Sequence, residues 1–178
     1  MTRHRISLEE FHRMVEAGIF PEDLRLELVE GDLVEMSPIG KRHAAKVNRL
    51  LALFAPLLHR REALLSPQNP LVVGNSELYP DLALLKPRSD FYEERLPEAQ
   101  DTLLVVEVAE TTLDYDLKVK VPLYAKAGVP EVWVVDLGGK RVLAHRRPEG
   151  EGYGKVQTLG PGEVLTFMGV EVPVEALL

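Results

Sequence analysis

The sequence predicts an α/β fold of the α+β kind: a mostly central mixed sheet flanked by helices, with a small antiparallel β extension at the C-terminus. Three observations carry that expectation. The runs Thr102 to Val108 and Glu131 to Asp136 are almost wholly apolar, as strands covered on both faces are. Between them, Asp116 to Ala127 reads as a helix ended by Gly128, so strand, helix and strand make a parallel crossover. From Lys41 to His59, Ala44, Val47, Leu50, Leu51, Phe54, Leu57 and Leu58 recur near a period of 3.6, giving the longest helix despite Pro56.

The remaining elements follow in chain order. Ser7 and Glu10 have capping-box spacing, and Leu8, Phe11, Met14 and Val15 continue a short helix up to Gly18. Leu24 to Val29 and Asp32 to Met36 alternate apolar and polar residues around Glu30-Gly31, the pattern of a hairpin. Ala63 to Ser66, Leu71 to Gly74 and Pro80 to Leu85 are short strand-like runs bounded by Pro, Gly, Asn or Ser. Beyond Asp136, segments at Val142 to His145, Tyr153 to Thr158 and Val164 to Phe167 form the β extension. With no linker or repeat, one domain over residues 1–178 is expected, its core at about 20–140 and the extension at 140–178.

Composition narrows the chemistry. The chain has no cysteine, which excludes disulfides and thiolate metal sites and leaves carboxylates, lysines and five histidines. A net charge of −7 argues against coating nucleic acid non-specifically, because such binding rests on many phosphate contacts from Lys and Arg. No run approaches the ~20 apolar residues of a membrane span, so no membrane contact is expected. The N-terminus lacks the apolar run and cleavage site of a secretory signal, and a cytoplasmic location follows.

Two carboxylates stand out. Asp81 follows a proline at the start of one strand, and Glu107 is the single charge of the most apolar strand, near its C-terminal end. Buried carboxylates cost several kcal/mol unless paired or metal-bound, and Mg²⁺ binds through one or two of them. A turn cap at Asp81 and a lysine partner for Glu107 account for the same spacing. On the following helix Asp116, Lys120 and Tyr124 are spaced by four and share a face, as an ordinary surface ion pair also would. Lys118 lies on another face. Lys41, Arg42, Lys46 and Arg49 give the long helix a basic side that either meets phosphates or is simply solvated.

The motifs Leu26-Glu-Leu-Val-Glu-Gly31, Ser37-Pro38 with His43, Tyr79-Pro-Asp81 and Val105-Val-Glu-Val108 recur in order. They are followed by Thr112-Leu-Asp-Tyr-Asp116, Lys120, Tyr124, Gly128-Val129 and Val132 to Asp136. Together, over roughly residues 20 to 140, they resemble the Uma-two family, bacterial restriction-endonuclease-like proteins placed in the PD-(D/E)xK nuclease superfamily. The resemblance implies a restriction-endonuclease-like fold and metal-assisted hydrolysis of phosphodiesters, with DNA as partner. It makes Asp81, Glu107, Lys120 and Glu27 the catalytic set, with Mg²⁺ or Mn²⁺ on Asp81, Glu107 and the carbonyl of Val108. His43 would meet substrate; Arg42, from the basic side of the long helix, and Lys118, beside Lys120, are further substrate-contact candidates read from their charge and position, and Asp116 and Tyr124 would stand behind the ligands. Where the common nuclease pattern has lysine two residues after the glutamate, this chain has Ala109, so Lys120 must supply the ammonium; Glu110 replaces a more usual serine.

Two other readings compete. A relative of the same fold that binds nucleic acid or protein without cutting fits the acidic balance. A metal-free carboxylate pair acting on sugars would call for an aromatic cleft, which 6% aromatic residues do not favour. Cutting both strands of a duplex would call for a symmetric homodimer.

Overall fold

A computed structural model describes residues 1–178. Helix α1 (Leu8–Glu16) is capped as its sequence requires: the Glu10 amide donates to Ser7 Oγ at 3.1 Å and the Ser7 amide to Glu10 Oε1 at 3.0 Å. Strands β1 (Leu26–Val29) and β2 (Asp32–Glu35) form the expected hairpin, with Glu30 and Gly31 both at positive φ in the turn. Helix α2 (Lys41–His59) follows, then β3 (Leu64–Pro67), β4 (Leu71–Val73), β5 (Ser76–Leu78), β6 (Leu82–Leu85) and β7 (Thr102–Ala109). The crossover is built from α3 (Leu113–Tyr115), a π turn (Asp116–Lys120) and α4 (Val121–Ala127), and leads to β8 (Glu131–Asp136). The chain finishes with β9 (Arg141–Glu149), β10 (Gly152–Leu159), β11 (Val164–Phe167) and β12 (Val170–Pro173).

Six strands form the central sheet in the order β10-β9-β8-β7-β6-β3, and only β7 and β8 run parallel. The sheet is therefore mixed, as expected, with the parallel pair at its centre where the crossover places it. The C-terminal strands are antiparallel as read from sequence, but β9 and β10 lengthen the central sheet, and only β11 and β12 stand apart as a hairpin. A second sheet, β2-β1-β5-β4, includes β5, which sequence reading passed over because Ser76-Glu-Leu78 is too short for alternation to register.

The period of two along the central strands sorts their side chains between two cores. Leu82, Leu84, Leu104, Val106, Val108, Trp133 and Val135 face α2, packing on Val47, Leu50, Phe54 and Leu57. Ala83, Leu85, Val105, Ala109, Val132 and Val134 face the other way, toward Val121, Leu123 and Tyr124 of α4. By the same alternation Glu107 falls on the α4 side. The ladder pairs Leu82 with Val106, so Asp81 stands opposite Glu107 one step further on. No helix is long and apolar enough to cross a membrane.

Candidate functional site

Asp81 and Glu107 are held by a reciprocal clasp. The Asp81 amide donates to Glu107 Oε1 at 2.9 Å, and the Val108 amide donates to Asp81 Oδ2 at 2.7 Å. Two carboxylates directly opposite on one face of a ladder repel, and the surrounding donors answer that repulsion. Lys120 reaches in from the π turn to pair with Glu107 Oε2, and its ammonium also lies 3.1 Å from Glu27 Oε2. Tyr124 donates its hydroxyl to Glu107 Oε2 at 3.3 Å, and the Tyr79 amide donates to Glu27 Oε2 at 2.8 Å. On the α2 side of the cleft, His43 Nε2 meets Asp81 Oδ1 at 3.0 Å.

The i→i+5 bond from the Val121 amide to the Asp116 carbonyl defines the π turn. Such turns commonly sit at functional sites. Here the turn carries Asp116 and Lys120 and leads into Tyr124, all three buried. The ammonium that the common pattern places two residues after the glutamate thus arrives on the same face of the sheet from the helix, while Ala109 is packed in the core.

Electrostatically the site is short of positive charge. Burial pushes the Glu107 carboxyl well above its usual range; Lys120 opposes this, and Asp81, Asp116 and Glu27 reinforce it. Asp116 is raised to about 6, again chiefly by burial, against Lys120 and a 3.0 Å hydrogen bond from Thr112 Oγ1. Burial works against the Lys120 ammonium, but Glu107, Tyr124 and Glu27 outweigh it, so the amine is held protonated. The bond to Asp81 raises His43 in spite of burial. Burial lifts the Tyr115 hydroxyl to about 12.

These groups line one cleft of about 290 Å³ that also takes in Glu35 to Gly40 and Glu110 to Thr112. Of the residues expected from sequence, Glu27, His43, Asp81, Glu107, Val108, Asp116 and Lys120 line it, and Tyr124 backs it against Glu107. For Val108 the contact seen is its amide with Asp81. Arg42 stands just outside, 3.6 Å from Glu110. Lys118 is not brought in: its side chain is 75% exposed and pairs loosely with Asp114 at 3.9 Å, because the turn that buries Lys120 directs its second neighbour to solvent. Sequence reasoning missed Arg25 and Tyr115 as cleft residues. Tyr115 lay within a quoted motif, whereas Arg25 precedes β1 with no signal of its own. The Tyr115 hydroxyl and His43 Nδ1 are buried without a hydrogen-bond partner. No three acidic or imidazole groups close into a ready-made metal cluster.

Comparison with known proteins bears on the family and the fold. The model of the Uma-two family (Uma2), described as "Putative restriction endonuclease", matches residues 8–175. Among solved structures, the chain is similar to a protein from Anabaena variabilis described as a "putative nuclease belonging to DUF820". The TM-score is 0.74 at 16% identity, with 97% of each chain covered. No curated protein matches the sequence.

Proposed function

The chain belongs to the Uma2 family, and on that footing we propose that it is a divalent-metal-dependent nuclease that hydrolyses phosphodiester bonds in DNA. The observation that carries the proposal is the meeting of Asp81, Glu107 and Lys120 on one face at one edge of the sheet, inside a cleft. The donor set fits Mg²⁺ or Mn²⁺. It offers hard oxygen ligands, and its opposed carboxylates outnumber the ammonium between them, a deficit that adds to the burial raising Glu107 and Asp116. Mg²⁺ needs only one or two carboxylates and keeps several waters, so an open site suits it.

Asp81 and Glu107 would hold the ion, with the Val108 carbonyl as a backbone ligand and Glu27 joining directly or through water. When bound, it would lower the pKa of a water and neutralise charge on the phosphate. Lys120, kept protonated by its carboxylate neighbours, orients the attacking water and stabilises the charge that builds on the phosphate oxygens. The water oxygen bonds to phosphorus as the bond to the leaving sugar oxygen breaks. The water's proton passes to solvent, and the leaving oxygen takes one from solvent or from His43, whose bond to Asp81 favours its protonated form. Arg42 and the uncapped start of α2 at Gly40 lie beside the cleft, where a phosphate is favoured. Cutting both strands of a duplex needs two such centres, which a symmetric homodimer supplies; cutting one strand needs one.

Calorimetric titration of Mn²⁺ with parallel DNA cleavage tests the proposal. Asp81→Asn and Glu107→Gln should each lose metal binding and at least about 100-fold in cleavage rate; undiminished cleavage in either would sink it. A non-catalytic relative is the second reading, favoured by carboxylates already engaged by protein donors. It requires that the wild type bind no Mn²⁺.

A further inference from the structure

Resting on that nuclease reading, we infer that the cleft takes its substrate as an unpaired strand, one nucleotide being lowered between the Met36 to Ile39 wall and the carboxylate floor. Depth is the first reason. Asp81 and Glu107 keep only 16% and 2% of their side-chain surface exposed. They lie in a cavity of about 290 Å³, the scale of a small-ligand pocket rather than of a groove that embraces a rod. A duplex holds its phosphates on a stiff outer surface, whereas a flexible strand can dip a single phosphate to a recessed floor.

Charge is the second reason. Glu27, Glu35, Asp81, Glu107, Glu110 and Asp116 line the cavity against the fixed cations Arg25 and Lys120 and the imidazole of His43. Affinity for duplex DNA, with one phosphate charge per about 1.7 Å, comes from neutralising many phosphates at once. Of its cations Lys120 is already engaged by Glu107 and Glu27, which leaves Arg25 inside and Arg42 at the margin beside Glu110, too few for that task, and Lys118, outside it, faces solvent. A single strand needs fewer phosphate contacts because its bases can stack on the protein.

The wall provides the third. Pro38 and Ile39 are exposed in the connection between β2 and α2, and half-buried Met36 continues their apolar surface into the cavity. Ile39 is 39% exposed and belongs to neither core. An apolar surface beside a carboxylate floor suits the face of an unstacked base, as in enzymes that act on extruded nucleotides.

The test is fluorescence anisotropy with a labelled thymidine oligonucleotide and with a blunt hairpin duplex, both in Ca²⁺ and on the full chain. Cleavage of each is then followed in Mn²⁺. The expected result is about ten-fold tighter binding of the single strand. Ile39→Ser, a solvent-exposed change that leaves both cores intact and adds no charge, should weaken single-strand binding several-fold and leave duplex binding unmoved. Equal or tighter binding of the hairpin overturns the inference, and if the hairpin is also cut, the nuclease reading survives it. No binding of either probe and no cleavage in any metal overturns both.

Discussion

Replacing Lys120 by Met removes the ammonium that touches both Glu107 and Glu27 and leaves two buried carboxylates facing each other. Breaking a buried pair in this way costs about 3–5 kcal/mol. Urea unfolding should show a loss of that order at pH 8 and a smaller one at pH 5, where the Glu107 carboxyl, raised by burial, can protonate. Adding Glu107→Gln should restore part of it, the coupling that a double-mutant cycle reads. Asp116 gives a pH dependence of its own. Its carboxyl is raised from 3.8 to about 6, so the folded state binds its proton more tightly than the unfolded chain does. The associated stability is present below the unfolded value and lost as pH rises through the folded one. The melting temperature of the metal-free protein should therefore fall between about pH 4 and pH 6 from this source, and Asp116→Asn should flatten that slope.

At the scale of elements, the long helix and the central strands were legible because each carries a strong period in its apolar residues. Leu50, Phe54 and Leu57 are fully buried where a period of 3.6 puts them, and the run from Leu104 to Val106 is buried on both faces. The carboxylate partners Asp81 and Glu107 were legible too, since a charge ending an apolar strand invites an explanation. The π turn was not. Residues four apart fit an α-helix equally well, and the i→i+5 bond is a tertiary accommodation that leaves no spacing signature. Arg25 escaped for a related reason: its place at the cleft depends on how one sheet packs on the other, which local sequence does not encode. Gly128 ends α4 at φ 87°. Gly128→Ala should cost about 1–2 kcal/mol through that left-handed conformation alone, since a Cβ there meets nothing within 4 Å; thermal unfolding checks it.

For the whole molecule, the decisive arrangement is that two cores share the same strands. Trp133 on β8 packs in the α2 core beside Phe54 and Phe167, with ring centroids 5.8 and 6.2 Å away, while its neighbours Val132 and Val134 serve the core on the opposite face. Loss of either core exposes strands on which the other depends. Urea unfolding followed by fluorescence of the single tryptophan should therefore coincide with unfolding followed by circular dichroism; two separated midpoints would contradict it. The acidic balance legible in the composition also has a structural counterpart, because six acidic side chains line one cleft against the fixed cations Arg25 and Lys120.

The clasp between Asp81 and Glu107 has a consequence for motion. Its two amides, those of Asp81 and Val108, sit at the rim of the sheet, where backbone groups ordinarily open to solvent by fraying. Here each donates to a carboxylate belonging to the opposite strand, so neither proton is released unless β6 and β7 part. Amide hydrogen exchange should find these two rim positions as slow as the centre of the ladder, which would make the part of the molecule with most chemistry to perform one of its stillest.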